Sequence, residues 1–439
     1  MPDVSPAASN GSELSAAITE LEISRHEHGS PQLPGRLGTG QLRDEIFEML
    51  KELRTLKMGT NLTSFTAPGS LMLPFSTTEL MLHGSSCSAA GFGEAVREPD
   101  VSRRMVRVLS AHLSALSETL SAPMMKPYNP VLGELLVARG GGIGLAWQAC
   151  IEQVSHHPPL TAFHVEGHAG GGAFRHYGSS GAVPIFRGNT VEVRMVANPG
   201  GTVLTLEDGT EEVYRVKGLP SLCLRGVLGI GRSFCEWAGE LHIECVTSGL
   251  VGKVAFAAAK WFGTGGYHRV QGTVVAGGDK NAPVLYKISG AWTQRVVATA
   301  TSGGTELEML PALPGGAERP TGMTALPECP LYDMPAHSLR WERHPKQVWA
   351  ELTTALKAHD WSAARAAKRK VEEERRQERA VRLASGLDWK PALFELARAE
   401  AGSSAAAVAD GGRDQAWVLR AGGLDGAFDE EADQPCEAL

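Results

Sequence analysis

The chain has 439 residues, of which 43% are hydrophobic and 21% are charged, a composition typical of a folded globular protein. Its formal net charge of −7 argues against a protein that binds nucleic acid, although it leaves room for a local basic pocket. No apolar run approaches the length of about 18 residues that marks a membrane-spanning helix, so we expect any membrane contact to be peripheral.

The ends of the chain and its cysteines indicate a cytosolic protein. Its seven cysteines are scattered singly, without a Cys-x-x-Cys pair, which is typical of reduced thiols. The first residues, MPDVSPAASN, lack a basic segment followed by an apolar stretch, so we predict no secretion signal. Residues 1–40 are rich in Ser, Gly, Pro and His without a sustained period, and we predict a mostly disordered leader there.

Residues 42–58, LRDEIFEMLKELRTLKM, are predicted to form an amphipathic helix that ends at Gly59. Its apolar stripe consists of Ile46, Met49, Leu50, Leu53 and Leu56. Basic residues lie nearby, and such a helix can either cover an apolar cavity or lie on an anionic bilayer. A helix packed permanently on the protein is the alternative. A second helix is predicted over roughly residues 100–121.

Between about residues 143 and 298 the pattern changes to short apolar or alternating runs separated by Gly, Asn and Asp. The regular spacing of turn residues predicts one large antiparallel sheet, closed or nearly closed. The stretches VANPGG (196–201) and AGGDKNAP (276–283) are predicted hairpin tips. No repeat with a period of about 20–50 residues is present, which argues against a repeat array.

The C-terminal third is predicted to be helical and then unstructured. After a Pro-rich connection at 311–335, helical patterns run from about 345 to 383. Residues 401–439 are rich in Gly and Ala and carry eight Asp and Glu against two Arg. This composition predicts an acidic disordered tail, which we begin at residue 397.

The stretch EQVSHHPPL contains the adjacent histidines His156 and His157, and a metal site is one interpretation of them. Cys150, His164 and His168 are close in sequence. If 150–157 is a strand, however, neighbouring side chains point to opposite faces, so the two histidines would not share an ion. The chain also lacks an HExxH motif and the paired cysteines of zinc sites, and we predict no metal.

Catalytic patterns are weak throughout the chain. It has no Gly-x-Ser-x-Gly nucleophile motif and no phosphate-binding Gly-rich loop. Glu152 beside His156 could form an acid–base pair, but a charged strand end explains the two residues equally well. We therefore predict neither an enzyme nor a cofactor.

Two further stretches could bind an anion. In MMKPYNPVLGELL, two Xaa-Pro steps make a rigid turn on which Lys126 and Asn129 could face one anion, with an ordinary surface turn as the alternative. In AAKRKVEEERRQERAVR, Lys368, Glu372 and Arg376 lie along one helical face. The alternative there is a solvated helix whose ion pairs each contribute about 0.3–0.5 kcal/mol.

These stretches occur together and in this order in the oxysterol-binding protein-related lipid transfer proteins, which this sequence resembles. The matching segments are EQVSHHPPLTAFH, KPYNPVLGE, and KRKVEEERR followed by DWKPALFE. GTNLTSFTAPGSLMLPFSTTELM is similar to the segment that leads into the family's barrel, and KISGAW to a Gly-x-Trp strand. The likeness spans roughly residues 41–396.

The resemblance implies a mainly β fold with flanking helices, in which a large, near-closed antiparallel β-barrel encloses a lipid tunnel. It implies a lid and the segment leading into the barrel at 41–70, a lipid-binding domain at 71–396 with C-terminal helices at 310–396, and the tail beyond. The helix at 42–58 would be the lid.

The resemblance also implies a ligand, phosphatidylinositol 4-phosphate, whose head group sits at the tunnel entrance. Carried over residue by residue, its contacts are Lys126, Asn129, His156, His157, Lys368, Glu372 and Arg376. The family exchanges this lipid for a second one, a sterol or phosphatidylserine, between anionic membranes such as those at endoplasmic-reticulum contact sites. A phosphoinositide-dependent sensor that transfers little lipid is the alternative.

Overall fold

The computed structural model describes residues 41–428 except for 64, 66–67, 69–70, 120–124, 229, 231–232, 259–266, 280, 314–316, 320–331 and 399–414. The helices are α1 (Gln41–Thr55), α2 (Thr77–Arg97), α3 (Val101–Ser117), α4 (Pro345–Val348), α5 (Ala350–Lys357), α6 (Trp361–Ala384) and α7 (Gly423–Phe428). The strands are β1 (Met72–Ser76), β2 (Lys126–Tyr128), β3 (Leu135–Gly142), β4 (Leu145–His156), β5 (Pro159–Ala169), β6 (Gly172–Phe186), β7 (Thr190–Thr205), β8 (Glu211–Gly218), β9 (Ser221–Arg225), β10 (Phe234–Cys245), β11 (Leu250–Phe256), β12 (Arg269–Ala276), β13 (Val284–Ala291), β14 (Val296–Ala300), β15 (Glu306–Leu310), β16 (Tyr332–Asp333), β17 (Phe394–Arg398) and β18 (Gln415–Leu419).

A 14-stranded sheet dominates the fold. Its strands follow the order β15-β14-β13-β12-β11-β10-β8-β7-β6-β5-β4-β3-β16, and β9 pairs with both β7 and β10. The pairings described within this sheet are antiparallel, as predicted. In the part of the chain that the structure describes, the terminal strands β15 and β16 do not pair with each other, so the barrel is only partly closed.

Helices α2 and α3 form the centre around which the sheet curves. Helix α2 contacts strands β3 to β7, whereas α3 contacts β11, β12 and β15 from the other half of the sheet. The contact surfaces are apolar and fully buried, as Phe92 of α2 and Leu109 of α3 show. The indole of Trp237 on β10 donates a hydrogen bond to the Leu116 carbonyl of α3 at 2.8 Å.

The sequence patterns do not predict helix α2, because its middle, HGSSCSAAGFG, consists mainly of small residues. Those small residues are what the packing requires. A Cβ built on Gly91 would lie 2.7 Å from the Cβ of Ala111, so α2 and α3 approach more closely than larger side chains would allow. At its start, Ser76 and Glu79 form a capping box that satisfies free backbone N–H groups.

Several predicted boundaries are corrected by the structure. Helix α1 ends at Thr55, before Gly59, and the segment after it is held by its own hydrogen bonds to β6. The stretch VANPGG lies inside the long strand β7 and is not a hairpin tip. By contrast, AGGDKNAP does connect β12 with β13, and α4 to α6 occupy the predicted helical region.

The tail beyond residue 397 is not wholly unstructured, which corrects the prediction. Strand β18 pairs antiparallel with β17, and helix α7 follows it. Leu424 and Ala427 are buried in a cluster with Val137 and Trp341, on β3 and near the short helical turn at 338–340. The acidic composition of the tail gave no indication of this contact, because a few apolar residues stabilise such a segment only when they pack on the rest of the fold. The predicted leader, 1–40, and residues 429–439 lie outside the described residues.

Among the described residues, none of the helices has both the length and the apolar character needed to cross a membrane.

Candidate functional site

The two histidines lie where strand β4 ends. His156 is the last residue of the strand, and a turn through His157 and Pro158, joined by a cis peptide bond, leads into β5. The ring centroids of His156 and His157 are 5.0 Å apart. A strand over 150–157 would have pointed the two side chains to opposite faces of the sheet. Because β4 ends at His156 and His157 lies in the turn, this restriction does not apply. Within the described ranges, no group of three or more His, Cys, Asp and Glu residues could hold a metal ion.

Arg379 of α6 lies beside this pair. Its Nη1 lies 3.4 Å from Nε2 of His157. The pKa of His156 is lowered, first by partial burial of its ring and then by the positive charges of His157 and Arg379. Three groups that can carry positive charge therefore converge at the end of β4, a suitable setting for an anion.

Lys126 forms a second cationic centre with α6. It begins strand β2, and its Cα pairs with Met72 of the parallel strand β1. Burial and, to a lesser extent, the charge of Lys368 lower the pKa of Lys126 to about 8, while Glu372 opposes the shift. Lys368 is itself largely buried and pairs with Glu372 at 3.2 Å. The structure thus brings together three residues that the sequence places in two separate motifs.

Arg376 and Asn129, two further predicted contacts, are both exposed to solvent. The Arg376 side chain is 70% exposed and forms an ion pair with Glu373, which belongs to the solvated side of α6. Asn129 is exposed in the turn that follows β2. The assignment of these two residues to a head group stays a prediction.

Arg379 was not among the predicted site residues. It follows Lys368 by eleven positions, which is about three helical turns and places both on one side of α6. This spacing is the only sign in the sequence that Arg379 belongs to the site. It does not single out Arg379, because six other basic residues lie between residues 365 and 382. Only the fold shows which of them faces His157.

A buried network fixes the turn that carries Lys126. The carboxylate of Glu134 is fully buried and accepts hydrogen bonds from Thr78 Oγ1 at 2.6 Å and Trp349 Nε1 at 2.8 Å. Burial raises the pKa of Glu134. Tyr128 stacks on Trp349 with ring centroids 4.8 Å apart, and its hydroxyl lies 2.9 Å from that of Thr353. These contacts join the turn to α4 and α5, which lead into α6.

Glu152 does not form the acid–base pair with His156 that its position suggested. Its carboxylate is fully buried and accepts backbone N–H groups of Ala392 at 2.7 Å and Leu393 at 2.9 Å. Four residues along a strand also separate the two Cα atoms by about 13 Å. Glu152 therefore anchors the C-terminal segment.

The proposed lid, α1, packs beside the turn between β6 and β7 in this structure. Met49, Leu50 and Leu53 are buried, while Leu56 is partly buried. Met49 and Leu53 belong to a cluster with Phe186 of β6, Val191 of β7 and Val227 in the loop after β9. The side chain of Ile46 lies outside what the structure describes. Whether this helix opens stays a prediction.

Comparison with known families decides the relationship. The family model described as oxysterol-binding protein matches residues 49–421. The chain belongs to the oxysterol-binding protein family. The match includes the strand β18 that follows the predicted domain end at 396.

Relatives in this family share the sequence at moderate identity. Oxysterol-binding protein-related protein 5 of Mus musculus is 30% identical over 356 residues, which cover 78% of this chain and 37% of the mouse protein. Oxysterol-binding protein-related protein 4C of Arabidopsis thaliana is 27% identical over 367 residues, which cover 80% of this chain and 87% of the plant protein. The chain thus spans little more than a third of the mouse relative and most of the plant one.

Solved structures confirm the predicted fold class. The Osh1 ORD domain in complex with cholesterol superposes with a TM-score of 0.69 at 20% identity, covering 98% of this chain and 100% of that one. The Osh3 ORD in complex with PI(4)P from Saccharomyces cerevisiae has a TM-score of 0.55 at 18% identity, covering 80% of this chain and 86% of that one. Both are likenesses of fold.

Proposed function

We propose that this protein binds the head group of phosphatidylinositol 4-phosphate with Lys126, His156, His157, Lys368 and Glu372. We further propose that it exchanges this lipid between membranes for a second lipid, a sterol or phosphatidylserine. Asn129 and Arg376 are proposed as additional contacts, and Arg379 joins the site because it lies beside His157. The proposal involves no catalytic residue, metal, cofactor or nucleic acid.

The observation that carries the proposal is the pair of lysines at the β2–α6 contact. Lys126 and Lys368 repel each other in a partly desolvated place, and the carboxylate of Glu372 acts on both amines. A dianionic phosphate there would relieve this repulsion. Hydrogen bonds between cations and phosphate are also the strong class, and burial strengthens them further.

The fold supports the second part of the proposal. A lipid bound by such a fold would be stabilised by burial of its hydrocarbon, at about 25 cal/mol per Å² of apolar surface. Structures of the same fold have been solved in complex with cholesterol, ergosterol and PI(4)P. A protein acting on such ligands would work in the cytoplasm and contact anionic membrane surfaces transiently, for example at endoplasmic-reticulum contact sites.

A transfer assay between two vesicle populations tests the proposal. Donor vesicles hold labelled phosphatidylinositol 4-phosphate, and acceptor vesicles hold a sterol or phosphatidylserine. We expect the two lipids to move in opposite directions at linked rates, and Lys126→Met with Lys368→Met to slow both. Saturable binding without transfer would instead support the sensor, and absence of phosphoinositide binding would contradict both functions.

A further inference from the structure

The C-terminal tip of helix α6 is exposed and apolar. Residues 380–388, AVRLASGLD, are exposed except for the half-buried Arg382. Val381, Leu383 and Leu387 are 67%, 65% and 51% exposed. Most other exposed large apolar side chains of the described residues stand singly on separate elements, which is ordinary for a protein surface. Three within seven residues form a local apolar surface.

The tip is a firmly built turn. Gly386 adopts a φ of +66°, and its N–H donates to the Leu383 carbonyl, while the Leu387 N–H donates to the Arg382 carbonyl. This closure satisfies backbone carbonyls that a helix end otherwise leaves free. The guanidinium of Arg382 lies over the ring of Trp389 at 5.7 Å. The tip can therefore enter a less polar medium with few unpaired backbone groups.

The charge around the tip is opposite in sign to that of the whole chain. Residues 379–390 contain three cations, Arg379, Arg382 and Lys390, against one carboxylate, Asp388. The chain as a whole carries a net charge of −7. A basic segment around exposed aliphatic side chains fits an anionic lipid surface. Attraction between the cations and the lipid phosphates adds to the free energy gained when the aliphatic side chains enter the bilayer.

The position of the tip connects it with the candidate head-group site. Arg379 directly precedes the tip and lies 3.4 Å from His157. We propose that residues 380–388 are a docking surface for an anionic bilayer, in which Val381, Leu383 and Leu387 enter the interface and the flanking arginines contact lipid phosphates. The purpose of such docking rests on the proposed function, because it would bring the head-group site to the membrane that supplies its lipid.

Vesicle flotation with the full-length protein tests this proposal. Vesicles of phosphatidylcholine, with or without phosphatidylserine and free of phosphoinositide, are the probe. We expect partitioning onto the anionic vesicles, and a fall on the order of tenfold or more for Val381→Asp with Leu383→Asp, because both side chains lose apolar burial. Partitioning onto the neutral vesicles should be much weaker.

Ile143→Asp is the matched control. Ile143 is fully exposed in the hairpin between β3 and β4, at the opposite end of β4 from His156 and thus about 36 Å away along the strand. Its replacement should leave vesicle binding unchanged. An equal loss in this variant would reveal general apolar adsorption and overturn the docking surface, as would unchanged binding of the double variant or equal binding to neutral vesicles.

A soluble, short-chain phosphatidylinositol 4-phosphate separates this proposal from the proposed function. The tip variant should still bind it, whereas His156→Ala with His157→Ala should lose it and keep vesicle binding. Thermal melting verifies the fold of each variant. If the aspartates lower the melting temperature, the milder double variant Val381→Ser with Leu383→Ser is used in their place. Unchanged vesicle binding by that variant would overturn the proposal.

Discussion

The carboxylate of Glu152 accepts the backbone N–H of Leu393 at 2.9 Å, which joins the strand that leads to His156 with a segment 241 residues later in the chain. Ala392 donates to the same carboxylate at 2.7 Å. Burial raises the pKa of Glu152 to about 7, although these hydrogen bonds oppose the shift. The folded protein therefore holds the Glu152 proton more tightly than the unfolded chain does.

The stabilising effect of Glu152 should decrease as the pH rises. Its contribution is complete below the unfolded value of 4.5 and is lost as the pH rises through about 7. Relative to Glu152→Gln, which does not titrate, the wild type should lose up to about 3 kcal/mol of unfolding free energy between pH 4.5 and 8. Urea unfolding across this range measures the difference. Glu395→Gln, on the exposed side of the same segment, should show no such trend, and a wild type that gains stability relative to Glu152→Gln would contradict the prediction.

The histidine pair should discriminate between the two lipids. Losing one charge-assisted hydrogen bond costs about 1.5–3 kcal/mol, or roughly ten- to a hundredfold in affinity. His156→Ala with His157→Ala should therefore nearly abolish extraction of phosphatidylinositol 4-phosphate and leave the second lipid bound. His168→Ala, an exposed histidine near the other end of β5, is the control. Equal loss of both lipids, with a lower melting temperature, would show that the pair is structural.

Head-group affinity should fall between pH 7 and 9. The pKa of Lys126 is lowered from 10.5 to about 8, so its amine loses its charge within this window. A fall of about tenfold is expected in the wild type, and Lys126→Met should bind more weakly and without this pH dependence. Lys370→Met should keep the wild-type profile, because Lys370 is exposed and pairs with Glu351 at 2.6 Å. Titration of short-chain lipid at several pH values measures the effect, and a flat wild-type profile would exclude the role of Lys126.

Gly133 should tolerate no side chain. Its φ is +77°, and a Cβ there would lie 2.4 Å from the ring of Trp389. Gly209 has a similar φ of +83° with no atom near its Cβ position, so Gly209→Ala measures the backbone strain alone. We expect a cost of about 1–2 kcal/mol for Gly209→Ala and about 1–3 kcal/mol more for Gly133→Ala. Equal unfolding free energies for the two variants would contradict close packing by Trp389.

Deletion of residues 1–58 should speed the loss of bound lipid. Removing α1 uncovers the apolar cluster that contains Phe186, Val191 and Val227 beside the turn between β6 and β7. Deleting residues 1–40 alone is the control and should leave the off-rate as in the full chain. Dilution of a fluorescent lipid complex gives the rates. Equal off-rates for both deletions would favour a helix that only packs on the protein.

The sequence by itself determined the antiparallel sheet and the motifs from which the candidate site is proposed. Alternation along strands such as β12 and β13, with turn residues between them, predicts antiparallel pairing because both are local properties of the chain. The segment around His156 and the turn at Lys126 were recognisable because a family's motif preserves residue type and order. These are features that neighbouring residues express without reference to the rest of the fold.

The tertiary structure alone decided which of these groups meet. Arg379 faces His157 while Arg376 pairs with Glu373, although both arginines belong to one basic run, because the packing of α6 against α5 and the β1–β2 pair sets its rotation. Helix α2 and strand β18 were missed for a related reason. Their small or sparse apolar residues become stabilising only against distant partners, such as Ala111 for Gly91 and β17 for β18. A contact between residues far apart in the chain depends on the whole fold, and no local pattern encodes it.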